Sequence, residues 1–155
     1  MVTPVNAEQV YERHMREEDV PIVLEIERRS FPFPFGEVLI NNIYIGAPEL
    51  CYVIECAGEV VGFLLGGYTA TPRQAHILSI AIKPGFRGKG YGRRILIHFL
   101  QRARILGYSS IKLEVQVDND KAIRLYEELG FRIETRIRKY YQDNSDAYLM
   151  LINLN

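Results

Sequence analysis

The sequence lacks a surplus of either charge, because its 19 Lys and Arg residues are balanced by 19 Asp and Glu residues. A net charge of zero gives no overall attraction to polyanions, which disfavours a dedicated DNA-binding domain. Apolar runs that approach the roughly 18 residues of a membrane span are also missing. The first residues show neither a basic leader nor a short apolar stretch. We therefore expect a soluble, cytoplasmic protein that does not bind membranes.

Cysteine is scarce, with only Cys51 and Cys56 in the chain. They are five residues apart in a predicted strand, which separates them by about 16 Å at about 3.3 Å per residue. That distance excludes a disulfide between them. Their spacing also differs from the close CxxC pairs of structural zinc sites, so we expect two reduced, buried thiols and no metal site.

The composition, by contrast, is that of a folded protein: 48% of the 155 residues are hydrophobic and 25% are charged. This balance excludes an intrinsically disordered chain. At 17.9 kDa the chain has the usual size of one domain. We expect residues 1–155 to form a single domain.

The hydrophobic pattern predicts eleven main elements. An extended start over residues 9–14 precedes a helix that Asp19 can cap, and a second helix follows. Three strands, a helix, a strand, a helix and two strands complete the chain, and Leu106 is expected on the buried face of the third helix. The predicted helices cover residues 20–29, 37–45 and 91–106 and a stretch after 118–120. This last helix is expected to bury Ala122, Leu125 and Leu129. The later strands cover residues 51–56, 60–69, 75–82, 111–117, 131–137 and 147–153.

This order predicts an α/β (α+β) fold in which helices cover a mixed sheet. The strand, helix and strand over residues 75–117 form one right-handed crossover. Open sheets usually bind ligands at such a crossover, and the most unusual residues of the chain lie on its loops.

The strongest motif is the hexad Arg87-Gly88-Lys89-Gly90-Tyr91-Gly92, between a buried strand and an amphipathic helix. Alternate glycines let the backbone approach a ligand, and the N-terminal N–H groups of the helix favour an anion such as pyrophosphate. The loop is neither a Walker A motif nor a Rossmann fingerprint. A flexible basic loop is the plain alternative. Nucleic-acid binding is a weaker one, through the basic residues Arg87, Lys89, Arg93, Arg94, Arg102 and Arg104.

Strand, loop and helix together resemble the coenzyme A loop of the GNAT acetyltransferase superfamily, whose pattern Arg/Gln-x-x-Gly-x-Gly/Ala is matched by Arg87, Gly90 and Gly92. The resemblance extends over about residues 75–152. It is closest to the N-terminal acetyltransferase branch, which includes the ribosomal-protein-alanine type and archaeal enzymes. The further matching segments are Leu113-Glu114-Val115, Asn119, Ala122-Ile123, residues 125–131, Lys139-Tyr140-Tyr141 and residues 146–150.

The resemblance implies a mostly antiparallel sheet of about seven strands with about four helices. It also implies an acyltransferase that moves an acetyl group from acetyl-CoA to an N-terminal amine, with no metal. The strand at residues 80–82 would bind the thioester carbonyl, and Asn119 would bind the pantetheine arm. The implied cofactor-binding residues are Ile80, Ala81, Ile82, Arg87, Gly88, Lys89, Gly90, Tyr91, Gly92, Arg93, Asn119 and Tyr126.

Three side chains are the candidates for proton transfer. The resemblance implies that Glu114 is the first choice for the base that deprotonates the amine, and that His76 is the second, as a relay through water. Tyr126 can protonate the departing thiolate. From the residues alone, Glu114 could be an ordinary exposed glutamate, His76 a structural histidine and Tyr126 a core residue.

Two aromatic groups are the candidates for substrate binding: the tyrosines Tyr140 and Tyr141, and the stretch Phe31, Pro32 and Phe33. A free protein or peptide N-terminus suits modest base catalysis, because an α-amine titrates near 8 and a lysine near 10.4. Acetylation of a lysine or small amine, and a non-catalytic coenzyme A binding subunit, stay as alternatives. A ribosome or an auxiliary subunit as partner is left open.

Overall fold

Seven strands and four α-helices follow one another in the computed structural model, which describes residues 9–155. Two short 3-10 turns, Glu17–Asp19 and Pro48–Leu50, lie between them. The order of elements is the predicted one, and most boundaries differ by one residue. The elements are β1 Val10–His14, α1 Val20–Ser30, α2 Glu37–Gly46, β2 Cys51–Cys56, β3 Glu59–Tyr68, β4 Gln74–Ile82, α3 Tyr91–Ile105, β5 Ser110–Gln116, α4 Asp120–Glu128, β6 Arg132–Ile137 and β7 Ala147–Asn153.

The strands form one sheet in the order β1-β2-β3-β4-β5-β7-β6. Strand β4 pairs in parallel with β5, and β1–β2, β2–β3, β5–β7 and β6–β7 are antiparallel. The expected fold class, a mixed and mostly antiparallel sheet with four helices, is confirmed.

The chain divides into two compact units. The first consists of residues up to Gly66 together with Ser79–Phe99, and the second of Gly67–Leu78 together with Leu100–Asn155. Strand β4 contributes residues to both. The core of the first unit is built from buried apolar side chains of α1, α2, β2 and β3, among them Val23, Ile40, Val53 and Phe63. Burial of this apolar surface is the main force that holds α1 and α2 in place.

The prediction that Asp19 caps α1 is wrong. Asp19 precedes the helix, but its buried carboxylate accepts two hydrogen bonds from Arg13, at 2.7 and 2.9 Å, and one from the Arg16 N–H at 2.7 Å. Arg13 also donates to Glu55 at 2.7 Å. A bidentate bond to a guanidinium is stronger than a cap bond to a neutral N–H, so the aspartate binds the arginine instead.

In the second unit, β5 shows the predicted alternation: Ile111, Leu113 and Val115 are buried, whereas Glu114 is half-buried. Strand β5 pairs with β7 along its whole length, but with β4 only from Gln74–Ile77 against Ser110–Leu113. Strand β6 is exposed along almost its whole length and forms one edge of the sheet, with an irregularity in its register near Ile133.

Two details of the predicted helix faces are wrong. Leu106 lies beyond the end of α3 and is 42% exposed. In α4 the buried residues are Ile123 and Tyr126, whereas the predicted core residues Ala122, Leu125 and Leu129 are half-buried. The core stripe of α4 is therefore shifted by one residue, which leaves Tyr126 at its centre.

Both cysteines are buried thiols of β2, as predicted. Burial raises the pKa of the Cys51 thiol to about 11. No helix formed by residues 9–155 is long and apolar enough to cross a membrane.

Candidate active site

A carboxylate and an imidazole meet in the second unit. Nε2 of His76 lies 2.7 Å from Oε2 of Glu114, and both side chains are largely shielded from solvent. The parallel register places His76 opposite Lys112 on β5, so Glu114, two residues further, projects from the same face as Lys112. Nζ of Lys112 lies 3.8 Å from the second carboxylate oxygen. Strand periodicity and register thus bring together two of the three predicted catalytic residues.

This pairing fixes the proton of the imidazole. An ionised carboxylate only accepts hydrogen bonds, so a neutral His76 carries its proton on Nε2 and leaves Nδ1 as an acceptor. The carboxylate can accept a proton, and the imidazole beside it can transfer a proton between its two nitrogens, so the pair can act as a proton relay. The arrangement is chemically suited to general base catalysis.

Tyr140 and Tyr141 lie next to this pair, on the loop between β6 and β7. Asp146 shapes that loop: it accepts hydrogen bonds from Arg136 at 2.7 Å and from the Lys139 N–H at 2.9 Å. The two tyrosine rings contact each other edge to face at 4.9 Å. Burial raises the pKa of Tyr140, and the charge of Glu114 and a hydrogen bond to it raise that pKa further.

Tyr126 is placed near the same group by α4. Burial first, and then the charges of Tyr140, Glu114 and Tyr126, raise the pKa of Tyr141. Tyr126 itself is 8% exposed and packs against the ring of Phe131.

The hydroxyl of Tyr126 has no hydrogen-bond partner among residues 9–155. Burial raises its pKa to about 12, so the phenol keeps its proton at neutral pH. The second unit therefore gathers Glu114, His76, Tyr126, Tyr140 and Tyr141, all predicted from the sequence.

Asn119 has a structural task at the start of α4. Its side-chain oxygen accepts a hydrogen bond from the Ala122 N–H at 3.3 Å and thus caps the helix. An asparagine that caps through its oxygen keeps its amide donors for another partner.

The glycine-rich loop lies in the first unit, between β4 and α3. Gly88 and Gly90 have φ angles of +78° and +84°, which side chains other than glycine rarely adopt. A Cβ atom added at either glycine would meet no atom within 4 Å, so open space borders the backbone here. The Arg94 N–H donates to the Gly90 carbonyl at 3.1 Å and begins the helical bonding of α3. The loop has the form expected of a cradle for an anionic group at a helix N-terminus.

The basic side chains of this loop are partly engaged within the protein. Arg87 donates to the Ile82 carbonyl at 2.8 Å and to Oγ of Ser30 at 3.0 Å, so it holds the loop against the end of β4 and α1. Arg94 binds Glu12 at 2.7 Å and the Val10 carbonyl. Lys89 lies over the ring of Phe86. The backbone shape of the loop, more than the charge of its side chains, therefore favours the binding of an anionic group.

The predicted substrate segment joins α1 to α2. Phe31 and Phe33 are 37% and 40% exposed, and Pro32 is exposed as well. Phe35 packs against the core of the first unit. The rings of Phe31 and Phe33 are thus exposed to solvent on a short segment, and the ring of Phe35 anchors that segment to the core.

One residue of this region was not predicted. Glu27 is 2% exposed, accepts a hydrogen bond from Oγ of Ser79 at 2.6 Å and accepts another from the Phe35 N–H at 2.9 Å. Burial raises the pKa of Glu27, which these hydrogen bonds partly oppose. The sequence does hold a signal for this residue, because Glu27 follows Val20 and Val23 at helical spacing on the apolar face of α1.

The part of the chain that the structure describes contains no group of three or more potential ligands suited to a metal ion.

Comparison with known proteins identifies the family. Residues 20–131 match the Acetyltransferase (GNAT) family model. The chain is 36% identical to an uncharacterized N-acetyltransferase of Methanocaldococcus jannaschii over 90% of this chain and 88% of that protein. It is 30% identical to an N-alpha-acetyltransferase of Sulfurisphaera tokodaii over 89% of both chains.

Two solved structures share the fold. One is Ard1 from Thermoplasma volcanium, with a TM-score of 0.88 and 34% identity, covering 93% of this chain and 97% of that one. The other is the ribosomal-protein-S18-alanine N-acetyltransferase of Escherichia coli, with a TM-score of 0.83 and 27% identity over 95% of each chain. The chain therefore belongs to the GNAT family and is an acetyl-CoA-dependent N-acetyltransferase.

Proposed function

We propose that this N-acetyltransferase acetylates the free α-amino group of a protein or peptide by direct transfer from acetyl-CoA. The observation that carries the proposal is the 2.7 Å pair of His76 and Glu114. The same unit holds the buried Tyr126 and the tyrosines of the β6–β7 loop. These groups supply an acceptor for the proton of the amine and a donor for the departing thiolate.

The proton steps follow from the state of each group. An ammonium has no lone pair, so it must lose a proton before it attacks the thioester. Glu114 accepts that proton, with His76 as the relay, and Tyr126 donates a proton to the sulfur of coenzyme A. Since an α-amine titrates near 8, about one in ten is already neutral at pH 7, and modest base catalysis suffices.

Acetyl-CoA binding is assigned to the first unit and to the start of α4. The backbone of the loop, from Arg87 to Arg93, binds the pyrophosphate. Backbone N–H groups of Ile80, Ala81 and Ile82 stabilise the oxygen of the thioester carbonyl, and the amide of Asn119 binds the pantetheine arm. Arg87 acts mainly by holding the loop in shape, since its guanidinium is bound to Ile82 and Ser30.

Two groups of aromatic residues are assigned to acceptor binding. Tyr140 and Tyr141 bind the peptide backbone, and Phe31, Pro32 and Phe33 contact the first side chain of the substrate. The similarity to the N-alpha-acetyltransferase of Sulfurisphaera tokodaii and to the ribosomal-protein-S18-alanine N-acetyltransferase of Escherichia coli supports this choice of acceptor. A ribosomal protein as substrate, a ribosome or auxiliary subunit as partner, the single-domain organisation and the cytoplasmic location stay predictions.

The test is a comparison of acceptors. Release of coenzyme A is measured with peptides that have free N-termini and varied first residues, with N-terminally blocked peptides that contain lysine, and with polyamines. We expect turnover on the free N-termini and little on the other acceptors. Activity confined to the blocked lysine peptides or to polyamines would refute the proposal. Acetyl-CoA binding without turnover on any amine would indicate a non-catalytic subunit.

A further inference from the structure

One buried residue, Glu27, binds both ends of the segment Phe31–Phe35, with its backbone carbonyl at one end and its carboxylate at the other. The backbone carbonyl of Glu27 accepts from the Phe31 N–H at 3.2 Å, and Oε2 of Glu27 accepts from the Phe35 N–H at 2.9 Å. Because Pro32 and Pro34 have no N–H, the segment has only three backbone donors, and two of them are bound to Glu27.

The position of Glu27 argues against simple core packing. It lies on the apolar face of α1, where a leucine or methionine would fill the same volume without a charge. No lysine, arginine or histidine among residues 9–155 pairs with it, so its charge is balanced by hydrogen bonds alone. Its second oxygen binds Oγ of Ser79, a buried residue of β4. The carboxylate thus links helix, strand and loop.

The loop of the acetyl-CoA site reaches α1 by a separate contact. Arg87 binds Oγ of Ser30, and that hydroxyl in turn donates to the Ile26 carbonyl at 2.6 Å. Glu27 takes no part in these bonds. Loss of the Glu27 carboxylate should therefore disturb Phe31–Phe35 and leave the glycine-rich loop intact.

We propose that Glu27 is a positioning residue for acceptor binding: it fixes Phe31–Phe35 so that the exposed rings of Phe31 and Phe33 form a preorganised surface for the first side chain of the substrate. The inference rests on the proposed function, which assigns this segment to the acceptor. A preorganised segment binds more tightly, because it loses less conformational freedom when the substrate arrives.

Three variants separate positioning from stability. Glu27→Gln keeps an oxygen for Phe35 and an amide donor for Ser79 and should behave like the wild type. Glu27→Met removes both bonds, and the KM for the peptide should rise tenfold or more, while the KM for acetyl-CoA stays within twofold. Glu27→Met/Ser79→Ala removes both partners of the buried pair, so much of the lost thermal stability should return.

The double variant decides the question. Its Phe35 N–H still lacks an acceptor, so we expect the raised peptide KM to persist, together with faster hydrogen exchange of the amides in residues 31–36. If its peptide KM returned to the wild-type value along with its stability, Glu27 would be a packing residue. Equal rises in the KM of both substrates would also overturn the inference.

Failure of the proposed function gives a different result. In that case the wild type itself would not acetylate free peptide N-termini. The same comparison of KM values, made with whichever amine the wild type does accept, would then still show whether Glu27 positions the acceptor site.

Discussion

At the level of single residues, the carboxylate of Glu114 has His76 on one oxygen and Lys112 near the other. Glu114→Gln keeps the volume and the hydrogen bond but removes the base. We expect kcat to fall about 10²- to 10⁴-fold, with the KM for acetyl-CoA unchanged. Steady-state kinetics would test this, with Glu134→Gln on the exposed strand β6 as the matched control. An unchanged kcat would exclude Glu114 as the base.

Tyr126 predicts a stability effect at alkaline pH. Its pKa is about 12 in the folded protein and about 10 in an unfolded chain, so its contribution is complete below pH 10 and is lost as the pH rises through 12. At pH 11 this amounts to about 1–2 kcal/mol. Tyr126→Phe should therefore be at least as stable as the wild type at pH 8 and more stable at pH 11, with much reduced turnover.

Denaturation by urea at both pH values would measure that difference, with the exposed tyrosine replaced in Tyr68→Phe as the control. An equal loss of stability between pH 8 and pH 11 in the wild type and in Tyr126→Phe would contradict the buried, protonated phenol.

At the level of elements, the glycine-rich loop depends on backbone angles. Gly88→Ala forces a Cβ into the left-handed region at a cost of about 1–2 kcal/mol, so the loop should rearrange. We expect the KM for acetyl-CoA to rise about fivefold to tenfold and kcat to change little. Gly46→Ala, at the end of α2 with ordinary φ and open space, is the control in the same assay. A Gly88→Ala enzyme with normal KM would show that this angle is not needed.

The sequence predicts elements well where one local rule acts alone. Alternation predicted β5 and placed Glu114 on its polar face, and the hexad marked the start of α3. The prediction for Asp19 failed because Arg13, six residues earlier, competes for the carboxylate, and a local capping rule does not include that partner.

Glu27 was missed for a related reason. Its two side-chain partners lie 8 and 52 residues further along the chain, so only the folded chain shows what a charge on the apolar face of α1 binds. The resemblance to the family predicted that His76 and Glu114 act together, but the geometry of the pair depends on the parallel register of β4 and β5.

At the level of the whole molecule, the ion cluster of Arg13, Asp19 and Glu55 joins β1, β2 and the turn before α1. Burial alone would raise the pKa of Asp19, but the hydrogen bonds from Arg13 and the Arg16 N–H hold it below its ordinary value. Its contribution to stability is therefore present above about pH 4 and is lost as the pH falls through the lowered pKa of the folded state.

Arg13→Met should consequently destabilise the protein by about 3–5 kcal/mol at pH 7, since it removes the guanidinium that pairs with two buried carboxylates. Near pH 3 the difference should shrink, because the contribution of the Asp19 carboxylate is lost as the pH falls through its lowered pKa. Chemical denaturation at the two pH values measures this. Arg29→Met, which removes only an exposed pair with Glu25, should change little. The same loss at both pH values would argue against the ionic origin.

Direct transfer makes a further prediction for the whole enzyme. Cys51 is fully buried with a raised pKa, and Cys56 lies beside the Tyr91 hydroxyl, so neither is placed as an acetyl-accepting nucleophile. The double variant Cys51→Ala/Cys56→Ala should keep its turnover within a few fold, in proportion to its folded fraction by circular dichroism. Lost turnover in a folded double variant would instead indicate an acetyl-cysteine intermediate.

Strand β6 has a consequence for self-association. As a solvent-facing edge of the sheet it offers unpaired backbone groups to any other strand, which is the usual starting point of aggregation. Its sequence alternates Arg132, Glu134 and Arg136 with smaller or apolar residues, and its register is interrupted near Ile133. Charges and an irregular edge both oppose the addition of a strand from another molecule. The composition of β6 therefore disfavours aggregation through this edge of the sheet.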